Sequence, residues 1–140
     1  MAGKSEPGRT IGSNLDGGMT WSSTGAFLLA LAVMLGAFGA HGLRGRLDAY
    51  SMDVYQKAVF YHFIHALGLL IVSILPKTGT FSEFATNWVC GLLLAGIVIF
   101  SGSLYLLAVT GTRALGAITP IGGVSFIAAW LLLAWKLARS

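Results

Sequence analysis

Three histidines carry the chemistry that this sequence could perform. His62 and His65 are three residues apart, so on a helix they share one face, and His41 follows the apolar segment before them. Imidazole is a common ligand of metals and of haem iron, so a haem or metal site through His41, His62 and His65 is one interpretation. A permeation path for protons, ions or a small solute is a second, because ionisable groups inside a membrane often line such a path.

Two serines, Ser101 and Ser103, raise the question of nucleophilic catalysis. A serine nucleophile needs a base such as histidine, and the base is in turn oriented by a third group, commonly a carboxylate. The apolar segments of this chain contain no Asp or Glu. Serine in a helix commonly bonds the helix backbone instead. We therefore expect no catalytic residues and no enzyme activity.

Four long apolar segments hold these side chains. Residues 24–40, 58–75, 88–109 and 115–135 run for 17, 18, 22 and 21 residues without a charge, and a helix needs about 20 residues to cross the hydrocarbon core. With 56% hydrophobic and 10% charged residues, the chain has too little polar surface for a water-soluble globule. The sequence predicts an all-α, polytopic membrane protein. We expect an antiparallel four-helix bundle with spans at about residues 22–43, 52–75, 86–110 and 115–137.

The first 20 residues differ from the rest of the chain, because they contain five glycines and almost no bulky apolar side chain. We expect a disordered tail over residues 1–20 and one four-helix transmembrane domain over residues 21–140. A cleaved signal peptide is the alternative account of the first segment, with Ala37 and Gly39 as the small residues before the cleavage site. The net charge of +4 comes mostly from cations that flank the apolar segments, which indicates membrane anchoring and not nucleic-acid binding.

When the four spans are arranged as antiparallel helices, most of their polar residues fall in the same leaflet of the membrane. Since a polar side chain is costly in lipid, we expect these groups to point inward and to hydrogen-bond one another. In particular, His62 or His65 should contact Tyr105 or a serine of the third helix. The opposite leaflet holds almost nothing comparable. The members of this candidate cluster are His41, Tyr55, His62, His65, Ser101, Ser103, Tyr105 and Thr119.

Local signals predict where the helices end and where they pack. Ser51 is the expected N-cap of the second helix, Pro76 ends it, and Gly111 suits a left-handed C-cap of the third. Small residues, many of them four apart, allow helix backbones to approach closely in a membrane. The expected packing positions are Ala32, Gly36, Ala40, Gly91, Ala95, Gly122 and Gly123.

Four sequence motifs, in order, resemble those of a known family. They are residues 36–43 (GAFGAHGL), 61–68 (YHFIHALG), 100–108 (FSGSLYLLA) and 115–126 (LGAITPIGGVSF). They resemble the small four-helix membrane proteins that include bacterial YgdD-like proteins and mitochondrial transmembrane protein 256, catalogued as domain of unknown function 423. The resemblance covers about residues 24–135. It implies an inner-membrane four-helix protein and supplies neither catalytic residues nor a cofactor.

The functional expectation is accordingly a noncatalytic integral membrane protein without a cofactor. We expect an accessory or structural subunit of a larger, energy-transducing membrane complex, in the bacterial inner membrane or its equivalent. The expected partners are membrane lipids and other membrane subunits or further copies of the chain. Both termini should lie on one side, but with five Lys and Arg there and four on the other side, the positive-inside rule does not fix the orientation.

A haem between two of the histidines would need ring nitrogens on opposite faces of the porphyrin. His62 and His65 are too close together on one helix face to provide them, so His41 would have to take part. We therefore predict that the purified protein shows no Soret absorption and no stoichiometric transition metal, as measured by optical spectroscopy and metal analysis. A haem spectrum that disappears on changing His41 and His62 to Ala would contradict this prediction.

Overall fold

Four helices make up the bundle. The computed structural model describes residues 20–79 and 81–139, so the first 19 residues of the predicted tail lie outside the described part. The helices are α1 (Trp21–Leu43), α2 (Ala49–Thr78), α3 (Glu83–Thr110) and α4 (Arg113–Leu137), with 23, 30, 28 and 25 residues. Each is long and apolar enough to cross a membrane. The predicted all-α fold with four transmembrane helices is confirmed.

Side chains cap the first two helices. The hydroxyl of Thr20, the last residue of the predicted tail, accepts a hydrogen bond from the Ser23 backbone N–H at 3.2 Å and caps α1. The prediction of Ser51 as N-cap of α2 is wrong. Asp48 caps this helix, and its carboxylate accepts from the Ser51 backbone N–H at 2.7 Å. This bond holds the pKa of Asp48 below its usual range, so the cap is intact at neutral pH and is lost on acidification through that lowered pKa.

Each of the four helices departs from regular α geometry over one turn; in α4 this is a 3₁₀ turn at its start, Arg113–Ala117. The last turn of α1, Gly39–Leu43, and a turn within α3, Ile97–Ser101, are wider π-helical turns. At Pro76, α2 tightens into a 3₁₀ turn, Leu75–Thr78, as the proline signal predicted for its end. Gly111 has a φ of 71° and closes α3 by donating its N–H to the Leu107 carbonyl at 2.8 Å, which confirms the predicted cap.

The helices pack in chain order, with α2 and α3 in the middle. The chief contacts of α1 are with α2, and those of α4 are with α3. Buried apolar side chains form two clusters, one at each end of the bundle. The larger includes Leu69, Val89 and Leu93, and the smaller includes Val54 and Leu107. The membrane-spanning bundle therefore has two apolar cores.

At two glycines the backbone of one helix lies directly against the backbone of the next. A Cβ on Gly25 of α1 would lie 3.0 Å from the backbone of Leu70 on α2. A Cβ on Gly122 of α4 would lie 2.8 Å from the Cα of Phe100 on α3, closer than such atoms come in proteins. Backbones that meet in this way gain van der Waals contact, the main source of helix association in lipid.

The predicted packing residues divide into two groups. Ala32 is buried, Gly122 is at a tight contact, and Gly36 and Gly123 touch a side chain of the neighbouring helix at ordinary distance. The prediction is wrong for Ala40, which is exposed, and for Gly91, where a Cβ would meet open space; Ala95 is half-buried. Gly25 was missed, because it precedes the small-residue repeat of α1.

The adjacent glycines of α4 give a matched test of the α3–α4 contact. Gly122→Ala should lower the free energy of unfolding by about 1 to 3 kcal/mol, the usual cost of overpacking, because its Cβ would press on the backbone of Phe100. Gly123→Ala should be neutral or slightly stabilising, since its Cβ would lie 3.7 Å from the Phe100 ring and alanine favours a helix. Unfolding in detergent, followed by circular dichroism, measures both. Equal effects would contradict the assigned contact.

Candidate functional site

A group of polar side chains, here called the polar layer, lies next to the smaller apolar cluster, to which its member Tyr55 also belongs. Its centre is His62 on α2, whose Nδ1 lies 3.2 Å from the hydroxyl of Tyr105 on α3. The sequence predicted a contact of His62 or His65 with Tyr105 or a serine of the third helix, and the structure has it between His62 and Tyr105. The ring of Tyr55, about two turns before His62 along α2, meets the Tyr105 ring edge-on with centroids 5.2 Å apart. The polar layer thus joins the two central helices.

Tyr55 ties the polar layer to α1. Its hydroxyl donates to the backbone carbonyl of Leu35 at 2.8 Å. Its ring lies against Gly39, where any side chain would collide with it. Gly39 begins the π-helical turn of α1, so the wide turn and the missing side chain both make room for the ring. Tyr55 is buried, and it fills the space between α1 and α2 at this level.

His65 is bonded within its own helix and stacked on α4. Its Nδ1 lies 2.7 Å from the Tyr61 carbonyl oxygen, and because a carbonyl only accepts, Nδ1 carries the proton. The His65 ring is nearly parallel to that of Phe126, at an angle of 14° and with centroids 3.5 Å apart. The second predicted histidine therefore acts as a flat packing surface between α2 and α4.

The remaining hydroxyls join α3 to α4 and to their own backbone. The hydroxyls of Ser103 and Thr119 lie 2.7 Å apart, and Ser103 also lies 2.9 Å from the Phe100 carbonyl. Since a carbonyl only accepts, Ser103 donates to Phe100 and receives the proton of Thr119 when both bonds form. The side-chain partner of Ser103 is therefore the hydroxyl of Thr119 on α4, which is not a base. Neither of these two hydrogen bonds connects Ser103 to His62 or His65.

Two buried atoms of the polar layer have no hydrogen-bond partner among the described residues. They are His62 Nε2 and Ser101 Oγ, on side chains that are 2% and 0% exposed. Ser101 ends the π-helical turn of α3. A buried polar atom without a partner is costly in a membrane interior, so these two atoms mark the incompletely satisfied part of the layer.

The prediction that His41 joins the inward-facing cluster is wrong. His41 lies in the π-helical turn at the end of α1, and its side chain is exposed, whereas His62 and His65 are buried. The five-residue turn directs His41 away from α2 because Gly39 and Leu43 occupy its buried face. In residues 20–79 and 81–139, the His, Cys, Asp and Glu side chains form no group of three that could hold a metal ion.

Polar contacts at the other end of the bundle were missed by the sequence. Trp21 Nε1 donates to the Asn87 side chain at 2.6 Å, joining α1 to α3. The hydroxyls of Ser22 and Ser73 lie 2.9 Å apart and join α1 to α2. The expectation that the opposite leaflet holds almost nothing comparable was therefore wrong. The usable signal was the position of Ser22, Ser73 and Asn87 at or near the ends of their apolar segments, which the topology brings to one face.

Comparisons with known proteins agree with this architecture. The sequence model of a family described as protein of unknown function (DUF423) matches residues 35–123. A UPF0382 membrane protein of Staphylococcus haemolyticus is 51% identical over 109 residues, covering 78% of this chain and 87% of that protein. The UPF0382 membrane protein YwdK of Bacillus subtilis is 50% identical over 111 residues, covering 78% of this chain and 88% of that protein. No solved structure matches the chain.

The contact between His62 and Tyr105 can be tested by removing one oxygen atom. Tyr105→Phe should lower the free energy of unfolding by about 1 to 2 kcal/mol, because it leaves His62 Nδ1 buried without its partner. Tyr50→Phe is the matched control, since Tyr50 is 67% exposed, and it should have no measurable effect. Thermal unfolding in detergent compares the two. An unchanged Tyr105→Phe midpoint would show that the bond does not stabilise the bundle.

Proposed function

We propose that this chain, which belongs to the DUF423 family of small membrane proteins, is a noncatalytic accessory or structural subunit of a larger, energy-transducing membrane complex. The observation that carries the proposal is the way the bundle uses its polar side chains. Most of them form hydrogen bonds with one another or with the backbone; these residues are His62, Tyr105, Tyr55, Ser103 and Thr119. Such a network stabilises the bundle and leaves few groups for a substrate.

The placement of the acidic side chains supports a noncatalytic role. Asp48, Asp53 and Glu83, the acids of the described residues, are all exposed. Asp48 caps α2, Asp53 pairs with Lys57 at 2.6 Å, and Glu83 lies in the first turn of α3. A histidine that activates a serine is commonly oriented by a carboxylate, and within the described part of the chain neither buried histidine has one.

The dimensions of the bundle support an accessory role. Between the helices the chain has only residues 44–48, 79–82 and 111–112, too few for a catalytic domain outside the membrane. The bulk of the described protein therefore lies in the bilayer, where its surroundings are lipid and the helices of other membrane proteins. We place it in the bacterial inner membrane or an equivalent energy-transducing membrane.

A permeation path is the second candidate, and one observation favours it. His62 Nε2 and Ser101 Oγ are buried polar atoms without partners, and such atoms can bind water in a membrane interior. Reconstitution in vesicles separates the two candidates. Proton uptake that depends on His62, and that His41→Ala leaves unchanged, would favour permeation over the structural role.

The accessory role predicts association with other membrane proteins. After extraction with a mild detergent, the chain should migrate in native electrophoresis as part of a complex much larger than its own 14.7 kDa, with other subunits identified by mass spectrometry. Deletion of the chain should reduce the amount or activity of that complex. Migration alone, or only as copies of itself, would contradict the proposal. A chain tagged at its other terminus is the control for loss of partners through the tag.

A further inference from the structure

We propose that the outer groove between α1 and α2 binds one acyl chain of a glycerophospholipid, whose phosphate is held by Arg44. This groove, here called the α1–α2 groove, has a volume of about 590 Å³, within the usual range for small-ligand sites. Its walls are almost entirely apolar and include Ala32, Gly36 and Ala37 on α1 and Val59 and Phe63 on α2. An acyl chain is the ligand chemistry that such walls accommodate in a bilayer.

The groove exists because α1 and α2 separate along their length. At Gly25 the two backbones nearly touch, with Leu70 opposite. At Gly36 a Cβ would instead meet the side chain of Val59, at 3.4 Å, and at Gly39 the whole ring of Tyr55 stands between the helices. The bond from the Tyr55 hydroxyl to the Leu35 carbonyl fixes this ring in place. The opening is therefore built into the packing of the two helices.

One end of the groove is polar and cationic. There it continues into a pocket of about 320 Å³ that shares Gly39, Ala40, Met52 and Gln56 with it and adds Arg44. Arg44 is exposed, and among the described residues no carboxylate forms an ion pair with it; Asp53 is paired with Lys57. A guanidinium binds phosphate through two parallel hydrogen bonds, and the Gln56 amide can donate to an ester carbonyl.

The length of the groove favours a lipid over a helix of another protein. From Ala32 to Ala40 the α1 wall extends for about 12 Å, close to one leaflet of a hydrocarbon core of about 30 Å. It begins near the middle of α1 and ends beside the loop that carries Arg44. A transmembrane helix of a partner would need a continuous face through both leaflets, whereas this groove closes where Gly25 meets Leu70. A single phospholipid of one leaflet matches both the length of the groove and the positive charge of Arg44 at its end.

Retention of phosphatidylglycerol by the purified full-length protein tests the apolar part of the site. Ala37→Leu should fill the groove, since Ala37 is an exposed residue of its wall, and native mass spectrometry should show at least a fivefold smaller fraction of protein carrying one lipid. Ala30→Leu is the matched control, because Ala30 is exposed on α1 but does not line the groove, and it should retain the lipid. Equal retention in the two variants would overturn the proposal.

The phosphate-binding role of Arg44 is tested by comparing it with the neighbouring Arg46. Arg44→Gln should weaken retention of phosphatidylglycerol about fivefold, the factor expected for one cation near an anionic surface, while Arg46→Gln, outside the pocket, should have a smaller effect. The exposed position of Arg44 makes this variant foldable even if Ala37→Leu is not. Helicity by circular dichroism checks folding. A dimer mass that Ala37→Leu abolishes would show a second copy in the groove and overturn the lipid assignment, as would equal losses in the two arginine variants.

Discussion

The hydrocarbon of a bilayer offers a polar group no hydrogen-bond partner, so the protein must supply one, and this constraint organises the whole bundle. It explains why His62 of α2 faces Tyr105 of α3, why the Tyr55 hydroxyl reaches a carbonyl of α1, and why Ser103 meets Thr119 of α4. Each contact joins two helices. The polar layer therefore links all four helices through directional contacts, whereas the two apolar clusters provide contact area but little directional preference.

The backbone adapts to these contacts. The wide turn at the end of α1 begins at Gly39, against which the Tyr55 ring packs, and the wide turn in α3 ends at Ser101 within the polar layer. Turns of this kind are uncommon and occur often at functional sites. Both wide turns contain or contact residues of the polar layer, which also holds the two unpartnered atoms on His62 and Ser101.

The sequence predicted the helices and their order well, because an uninterrupted apolar segment of about 20 residues crosses a membrane as a helix. Topology and depth also predicted that His62 or His65 meets Tyr105 or a serine of the third helix, but they did not decide which pair forms. His41 failed because the π-helical turn, which no local sequence signal announced, changes which side chains of the last turn face α2. Ala40 and Gly91 failed for a related reason: spacing identifies residues that permit close packing, while the facing side chains, such as Val59 and Tyr55, decide whether helices approach there.

The wide turn of α3 amounts to one residue more than a regular helix would contain between its two halves. Each residue of an α-helix turns the chain by about 100°, so a relative with one residue fewer at this point would keep a continuous helix but rotate everything after it. Tyr105 would then leave the side facing α2. An alignment gap within residues 97–101 would consequently mark a different arrangement of the polar layer, although no loop would have changed in length. Insertions and deletions inside a transmembrane helix of this family carry information that substitutions alone do not.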